Sequence, residues 1–227
     1  MEITPASALQ PRKTPRQARS VATVEAIFEA TIQVLLAEGA PGLTTSRVAE
    51  RAGVSVGTMY QYFPHKQSLL YAVLQQHLAG VVNAVEDACR KFRGQPAAAL
   101  VEGLVQAYVD AKTANVEVSR ALFLVAVEMD TAELIGGMTK RINAATMALL
   151  ASACDAHFDD LPAVTFTLLA ALAGNTRTVF ERGAKPAQIK VLRHQVTLMC
   201  RAYLLAAAVP KAPPKPAPRT ATPRASA

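Results

Sequence analysis

Apolar residues recur at helical spacing along almost the whole chain, and this periodicity constrains the fold more than any other feature. Ala, Leu and Gln surround the β-branched residues, which do not form the alternating runs of a half-buried strand. Gly and Pro separate successive periodic segments. Because 51% of the residues are hydrophobic, the chain has enough apolar surface for a sizeable core. We therefore predict an all-α protein.

Two short helices near the N-terminus are predicted to form a helix-turn-helix. Thr44 and Ser55 are suitable N-caps for helices over residues 45–52 and 56–62, and Gly53 lies where a tight turn between them favours a positive φ. In DNA-binding proteins, the second helix of such a unit lies in the major groove. The residues expected to face outward on it are Val56, Gly57, Thr58, Tyr60 and Gln61.

The remaining segments indicate further helices and no strand. Besides a first helix over residues 20–38, helices are predicted over residues 65–92, 96–114, 116–129, 132–157, 161–183 and 186–209. The predicted organisation is a flexible basic arm (1–19), a DNA-binding head (20–80), a larger helical ligand-binding and dimerisation body (81–209), and a Pro/Ala-rich basic tail (210–227).

The net charge of +7 belongs to the two ends of the chain. Residues 1–20 carry four basic residues and one acid, residues 210–227 carry four basic residues and no acid, and the segment between them sums to zero. Residues 21–80 have three basic and four acidic residues, a poor balance for attracting DNA phosphates. We therefore expect the arm to contact phosphates or the minor groove, through Arg12, Lys13, Arg16 and Arg19. The alternative is an unstructured tail that only improves solubility.

The segment GLTTSRVAERAGVSVGTMYQYFPHKQSLLYAVL, over residues 42–74, resembles the DNA-binding head of the TetR family of transcriptional regulators. The pattern AERAGVS-x-GT-x-Y-x-YFP-x-K is far more specific than a bare helix-turn-helix, and the resemblance covers about residues 20–80. It implies a sequence-specific DNA-binding regulator, usually a repressor, whose homodimer binds a palindromic operator and releases it when a small-molecule effector binds.

The resemblance also implies which residues contact DNA: Thr44, Thr45, Ser55, Val56, Gly57, Thr58, Tyr60, Gln61, Tyr62, His65 and Lys66. Tyr60 and Lys66 correspond to family positions that reach phosphates. The chain departs from the family at Ser46, where some members carry a basic residue for guanine contact, and at His65, where Ser or Asn often follows the proline.

In the family, the effector binds among the helices between the head and the last two helices, which form the dimer. The candidate pocket walls are the aromatic, methionine and aliphatic residues Tyr108, Leu122, Phe123, Val127, Met129, Met138, Met147 and Phe166. The scarcity of charge there favours an apolar or amphipathic effector. On the last helix the apolar arc spans about 200°, wider than one partner requires. The predicted dimer interface contains Ala170, Gly174, Leu192, Val196, Met199 and Tyr203.

Other classes of function have weaker support in the sequence. The four histidines show no metal-ligand spacing, and no nucleophile, acid–base or phosphate-loop constellation indicates an enzyme, a cofactor or a metal. The longest apolar stretch, residues 161–173, is too short for a membrane span, and the N-terminus lacks the apolar segment of a signal peptide, so we expect a cytoplasmic protein. The alternatives are an activator, an all-helical enzyme, or a helical small-molecule-binding protein without specific DNA binding.

Overall fold

The computed structural model describes residues 18–211, with side chains from Ser20 onward, and these residues form nine helices and one short strand pair. The helices are α1 (Ala18–Gly42), α2 (Thr45–Arg51), α3 (Val56–Tyr62), α4 (Lys66–Phe92), α5 (Ala97–Thr113), α6 (Val116–Val127), α7 (Ala132–Ala151), α8 (Leu161–Glu181) and α9 (Pro186–Ala207). The strands are β1 (Ala156–His157) and β2 (Val209–Pro210). The prediction of an all-α protein is confirmed.

Local signals explain where the first helices begin and end. Thr44 and Ser55 cap α2 and α3, and their side chains accept hydrogen bonds from the backbone N–H groups three residues later, at 3.3 and 3.0 Å. Gly53 has a φ of +67° in the turn between them, as predicted. The helical geometry of α1 is interrupted at Gly39, whose φ is +71°, immediately after the predicted end of the first helix.

The buried side chains form two hydrophobic cores. The head core gathers α1, α2, α3 and the first half of α4, and its fully buried members include Ile27, Val48 and Met59. α6 also packs here, through Val118, Leu122 and Val125, although it lies outside the predicted head in sequence. The head core is thus completed by a helix from the second half of the chain.

The body core contains the second half of α4 with α5, α7, α8 and α9. α4 and α5 approach closely at Gly103, where an added Cβ would lie 2.4 Å from the ring of Phe92. Because α4 runs through both cores, it connects the head to the body. This arrangement makes α4 the natural route for coupling the two regions.

The predicted helix over residues 132–157 is wrong beyond Ala151. The Ser152 hydroxyl accepts a hydrogen bond from Gly94 N (3.0 Å), and the Asp155 carboxylate accepts one from Ala97 N (2.8 Å), so this segment leaves α7 to cap the start of α5. β1 then pairs antiparallel with β2. Two residues per strand are too few to produce an alternating pattern, which explains why no strand was predicted.

By length and composition alone, the segment Ser20–Gly42 could span a membrane. From the sequence, only residues 161–173 were considered for such a span. Core helices of soluble proteins pass the same test, so this is weak evidence for a membrane span. In the structure, Ile27, Ala30 and Val34 of this helix are buried in the head core. The apolar face of α1 therefore already has a partner within the protein.

Candidate nucleic-acid interface

α3 presents a small surface of polar and apolar groups to solvent. Val56 and Tyr60 are 42% and 44% exposed, and Gly57 and Gln61 are exposed beside them. Met59, on the opposite side of the helix, is fully buried in the head core and fixes the orientation of α3. The predicted outward face is therefore accessible, although Thr58 and Tyr62 are partly buried and lie at its edges.

Hydroxyl groups join the start of α2 to this face. The Tyr60 Oη and Thr45 Oγ1 atoms are 3.2 Å apart, and the Ser55 and Thr58 hydroxyls are 2.8 Å apart. Thr45 is buried, whereas Thr44 is exposed at the N-terminus of α2. The structure thus brings together the predicted DNA-binding residues of α2 and α3 on one side of the head.

The basic residues between positions 20 and 80 are all engaged within the head. Arg47 contacts Glu38 and also donates to the carbonyl of Gly42, and Arg51 donates to Gln33 at 2.7 Å. The Lys66 ammonium donates to the Ala40 carbonyl at 2.7 Å. A role of Lys66 at a phosphate would therefore require it to share or exchange this partner, which the sequence did not indicate.

His65 has a structural role that sequence reasoning missed. Its Nδ1 atom accepts a hydrogen bond from Ser68 N at 3.1 Å, and the Ser68 hydroxyl donates to the His65 carbonyl. His65 is thus the N-cap of α4, the position that Ser or Asn would ordinarily occupy. Three of the arm residues, Arg12, Lys13 and Arg16, lie outside the described residues, as does the side chain of Arg19, so their contacts with DNA stay predictions.

The predicted effector-binding residues do not surround one cavity. Tyr108 is buried in the body core, whereas Leu122 is buried in the head core and Met129 packs against it. Met138 contacts both cores, and Phe123 and Met147 are partly buried. Val127 and Phe166 are 66% and 71% exposed, so no enclosed pocket surrounds them in the described protomer, and their role as pocket walls stays a prediction. Helical spacing shows that a helix is amphipathic but not which neighbour its apolar face meets.

A polar group lies where the head core meets the body core. The His77 Nε2 atom on α4 is 3.3 Å from the Ser119 hydroxyl on α6. Burial, and to a smaller extent the charge of Lys112 on α5, lowers the pKa of His77 to about 4. Burial also lowers the pKa of Lys112 itself. His77 is therefore a neutral hydrogen-bonding group near pH 7.

A groove of about 590 Å³ runs between α8 and α9. Ala170 and Gly174 of the predicted dimer interface are exposed along it. Leu192 and Val196, however, are buried in the body core of their own protomer, and Tyr203 packs against that core. Met199 is 39% exposed. The apolar residues that α9 leaves most exposed are Val191 and Leu198, which are not among the predicted interface residues.

Comparison with known proteins agrees with this architecture. Residues 27–73 match the model described as "Bacterial regulatory proteins, tetR family", and residues 96–204 match "Tetracyclin repressor-like, C-terminal domain". The uncharacterized HTH-type transcriptional regulator TtgW of Pseudomonas putida is 38% identical over 68 residues, covering 29% of this chain and 49% of that protein. The chain spans about half or less of the length of the curated relatives it matches.

Solved structures share the fold at low sequence identity. SmeT, the repressor of the Stenotrophomonas maltophilia multidrug efflux pump SmeDEF, is 18% identical with a TM-score of 0.63, covering 87% of this chain and 100% of SmeT. The regulator FadR of Bacillus subtilis, in complex with stearoyl-CoA, is 16% identical with a TM-score of 0.62, covering 79% and 98% of the two chains. With a matching head, a matching second domain and this shared fold, the chain belongs to the TetR family of bacterial regulatory proteins.

Proposed function

We propose that this protein is a sequence-specific DNA-binding transcriptional regulator, which acts as a homodimeric repressor and leaves a palindromic operator when a small effector binds. The observation that carries the proposal is the exposed face of α3. It carries the phenol of Tyr60 and the amide of Gln61, with the Thr58 hydroxyl at its edge, and these groups are of the kinds that bind phosphates and base edges. We place the protein in the cytoplasm, where its operator is accessible.

The exposed apolar surface beside the α8–α9 groove supports the proposed dimer. Val191 and Leu198 are 59% and 54% exposed, and Ala170 and Gly174 leave room for a second helix to approach. A two-fold dimer would present two copies of α3 to successive major grooves of a palindromic site. An effector that favours another separation of the heads would then lower operator affinity.

The shared helices support coupling between the body and the head. α6 lies in the head core, and α4 lies in both cores, so a shift of either helix moves the surroundings of α3. SmeT is a repressor, and the solved FadR holds stearoyl-CoA. By analogy we propose repression, with an apolar or amphipathic molecule as the effector. Transcription of the regulated gene with and without the protein would distinguish repression from activation.

The proposal is tested by selecting DNA fragments from a random pool with the purified protein and measuring affinity for the enriched site. The decisive variant is Gly57→Leu. An added Cβ at Gly57 would have only the Ser55 hydroxyl nearby, at 3.7 Å, so a larger side chain fits the protein but occupies the space between α3 and DNA. We expect affinity to fall by about a hundredfold, or roughly 3 kcal/mol.

Gly80→Leu is the matched control, because Gly80 is an exposed helical glycine on α4 with nothing within 4 Å of an added Cβ. Both variants replace a helical glycine and should keep or slightly raise thermal stability. Only Gly57→Leu should lose the enriched site. Failure to enrich any sequence would support a helical small-molecule-binding protein, and equal affinity of the two variants would remove α3 from the interface.

A further inference from the structure

A second groove, of about 1170 Å³, lies between the head and the body. One wall is the end of α1, including Leu36 and Gly39–Pro41. The other is formed by α6, the turn that joins α8 to α9, and the start of α9. We refer to it as the seam groove. Its volume is somewhat above the range of about 300–1,000 Å³ typical of small-molecule sites, so it has room for a ligand of that size. The predicted effector-binding residues do not line it.

The seam groove exposes apolar side chains on both of its walls. Leu36 on α1 is 42% exposed and Leu124 on α6 is 48% exposed. Ile189 on α9 adds a partly buried apolar surface between them. Covering such side chains with an apolar ligand is favourable because it removes apolar area from water. The groove therefore suits an apolar chain or ring.

The charges around the groove favour an anion. Its lining includes four basic residues, Arg120, Lys185, Lys190 and Arg193, against two acidic residues, Glu117 and Glu128. Arg193 is paired with Asp110, but Arg120 and Lys190 take part in no ion pair among residues 20–211. Glu117 and Glu128 are likewise outside these pairs, so the groove keeps a small positive excess. A guanidinium binds a carboxylate well because its donors match the two oxygens.

We propose that the seam groove binds a small amphipathic carboxylate, with the apolar part against Leu36 and Leu124 and the carboxylate between Arg120 and Lys190. This site is separate from the α8–α9 groove and draws its walls from both regions of the protein. It also narrows the effector class, from apolar or amphipathic molecules to amphipathic anions.

The regulatory consequence rests on the proposed function. Ala40 lines the groove, and its carbonyl accepts the hydrogen bond from Lys66 at the start of α4. Gly42, two residues after Ala40, has a carbonyl that accepts a hydrogen bond from Arg47 on α2. A ligand that presses on Ala40 and Pro41 therefore acts on the contacts that position α2 and α4 beside α3. We expect its binding to lower operator affinity.

The experiment uses the absence of Trp from the sequence. Leu124→Trp places the one tryptophan of that variant in the groove, and Val127→Trp places it at an exposed position of the same helix outside the groove lining. Excitation at the long-wavelength edge of the indole absorption selects the indole over the tyrosines. The probes are decanoate and decyltrimethylammonium, each below its critical micelle concentration, and decanol, below its solubility limit. Calorimetry on the unmodified protein checks that the added indole does not create the site.

We expect decanoate to change the fluorescence of Leu124→Trp saturably, without a corresponding change in Val127→Trp. Replacing both cations, as Arg120→Gln with Lys190→Gln, should raise the Kd for decanoate about tenfold, equivalent to about 1.4 kcal/mol, and leave that for decanol unchanged. Equal affinity for the three probes, or an equal response at position 127, would overturn the proposal. So would the absence of saturable binding.

An operator titration separates this inference from the proposed function. Operator binding without decanoate binding would overturn the seam site and leave the DNA-binding proposal intact. Decanoate binding without any change in operator affinity would keep the site and overturn its regulatory role. Failure of operator binding itself would count against the proposed function, whatever the probes show.

Discussion

The exposed face of α3 and the exposed face of α9 differ in whether a second chain is needed to cover them. α3 shows solvent a short surface that mixes polar groups with Val56, while its caps and the buried Met59 fix it within one protomer. α9 shows solvent Val191 and Leu198, although its opposite side is already buried in the body core. The first face is complete in a single chain. The second leaves apolar area that a partner of similar shape would cover.

The largest effect should be a difference between substitutions on the buried side and on the exposed side of α9. Val196→Glu places a carboxylate in the body core, where burying a charge without a partner costs several kcal/mol, so we expect the cooperative thermal transition to be lost. Leu198→Glu changes an exposed residue only two positions away. It should stay folded but become a monomer of 24.1 kDa and lose operator binding. Circular dichroism melts and light scattering measure the two outcomes.

Val127→Glu is the control for Leu198→Glu, because Val127 is also a highly exposed aliphatic residue but lies on α6. It should remain dimeric. If Leu198→Glu also remained dimeric, the apolar face of α9 would not be the interface, and the contrast between the two faces would need another explanation.

The next effect concerns the head, where Tyr60 and Lys66 should behave differently. Tyr60→Phe removes the hydroxyl that lies beside Thr45, and we expect operator affinity to fall about tenfold with a loss of stability below about 1 kcal/mol. Lys66→Met removes the hydrogen bond to Ala40 as well as a positive charge. It should therefore lower both affinity and stability, the latter by about 1 kcal/mol.

Gel-shift titrations at several salt concentrations and thermal melts make this measurement. The salt slope should fall by about one for Lys66→Met if the ammonium meets a phosphate. A loss of stability with no loss of affinity would show that Lys66 serves only to hold the end of α1.

A smaller effect is expected at the arm. The three basic residues of the head have acceptors inside it, so phosphate neutralisation should depend on the arm, and residues 1–17 carry three of its four basic residues. Deleting residues 1–17 should weaken operator binding several-fold and reduce its salt dependence more than deleting residues 212–227, which carry a comparable charge. Equal losses from the two deletions would indicate a general effect of charge rather than a contact beside α3.

The two regions also differ in how far the sequence predicts them. The caps at Thr44 and Ser55 and the turn at Gly53 are local signals, so α2, α3 and the outward face of α3 were predicted correctly. For Leu122, local signals do not predict which core the side chain enters. Its periodic spacing predicted a helix, but only the packing of α6 against α1 and α4 decides that its side chain enters the head core. The seam groove likewise depends on three segments distant in sequence.

The smallest effect we predict is the pH dependence of stability that arises from His77, where the head core meets the body core. In the folded protein the pKa of His77 is about 4, below the value of 6.5 expected when the chain unfolds. Between these values the unfolded chain binds a proton that the folded one does not. Stability should therefore be highest above pH 6.5 and fall as the pH drops towards 4, with no further loss from this group below that. Because the ring is only partly buried, we expect a loss on the order of 1 kcal/mol. Chemical denaturation at pH 7.5 and at pH 5 measures this loss of stability. His77→Gln should reduce the difference in stability between the two pH values, and His194→Gln, at an exposed position on α9, should preserve it.

Since His77 contacts α6 beside both cores, the loss of stability should appear in a single unfolding transition. Two separate transitions, with only one sensitive to pH, would show that the head and body unfold independently despite sharing α4.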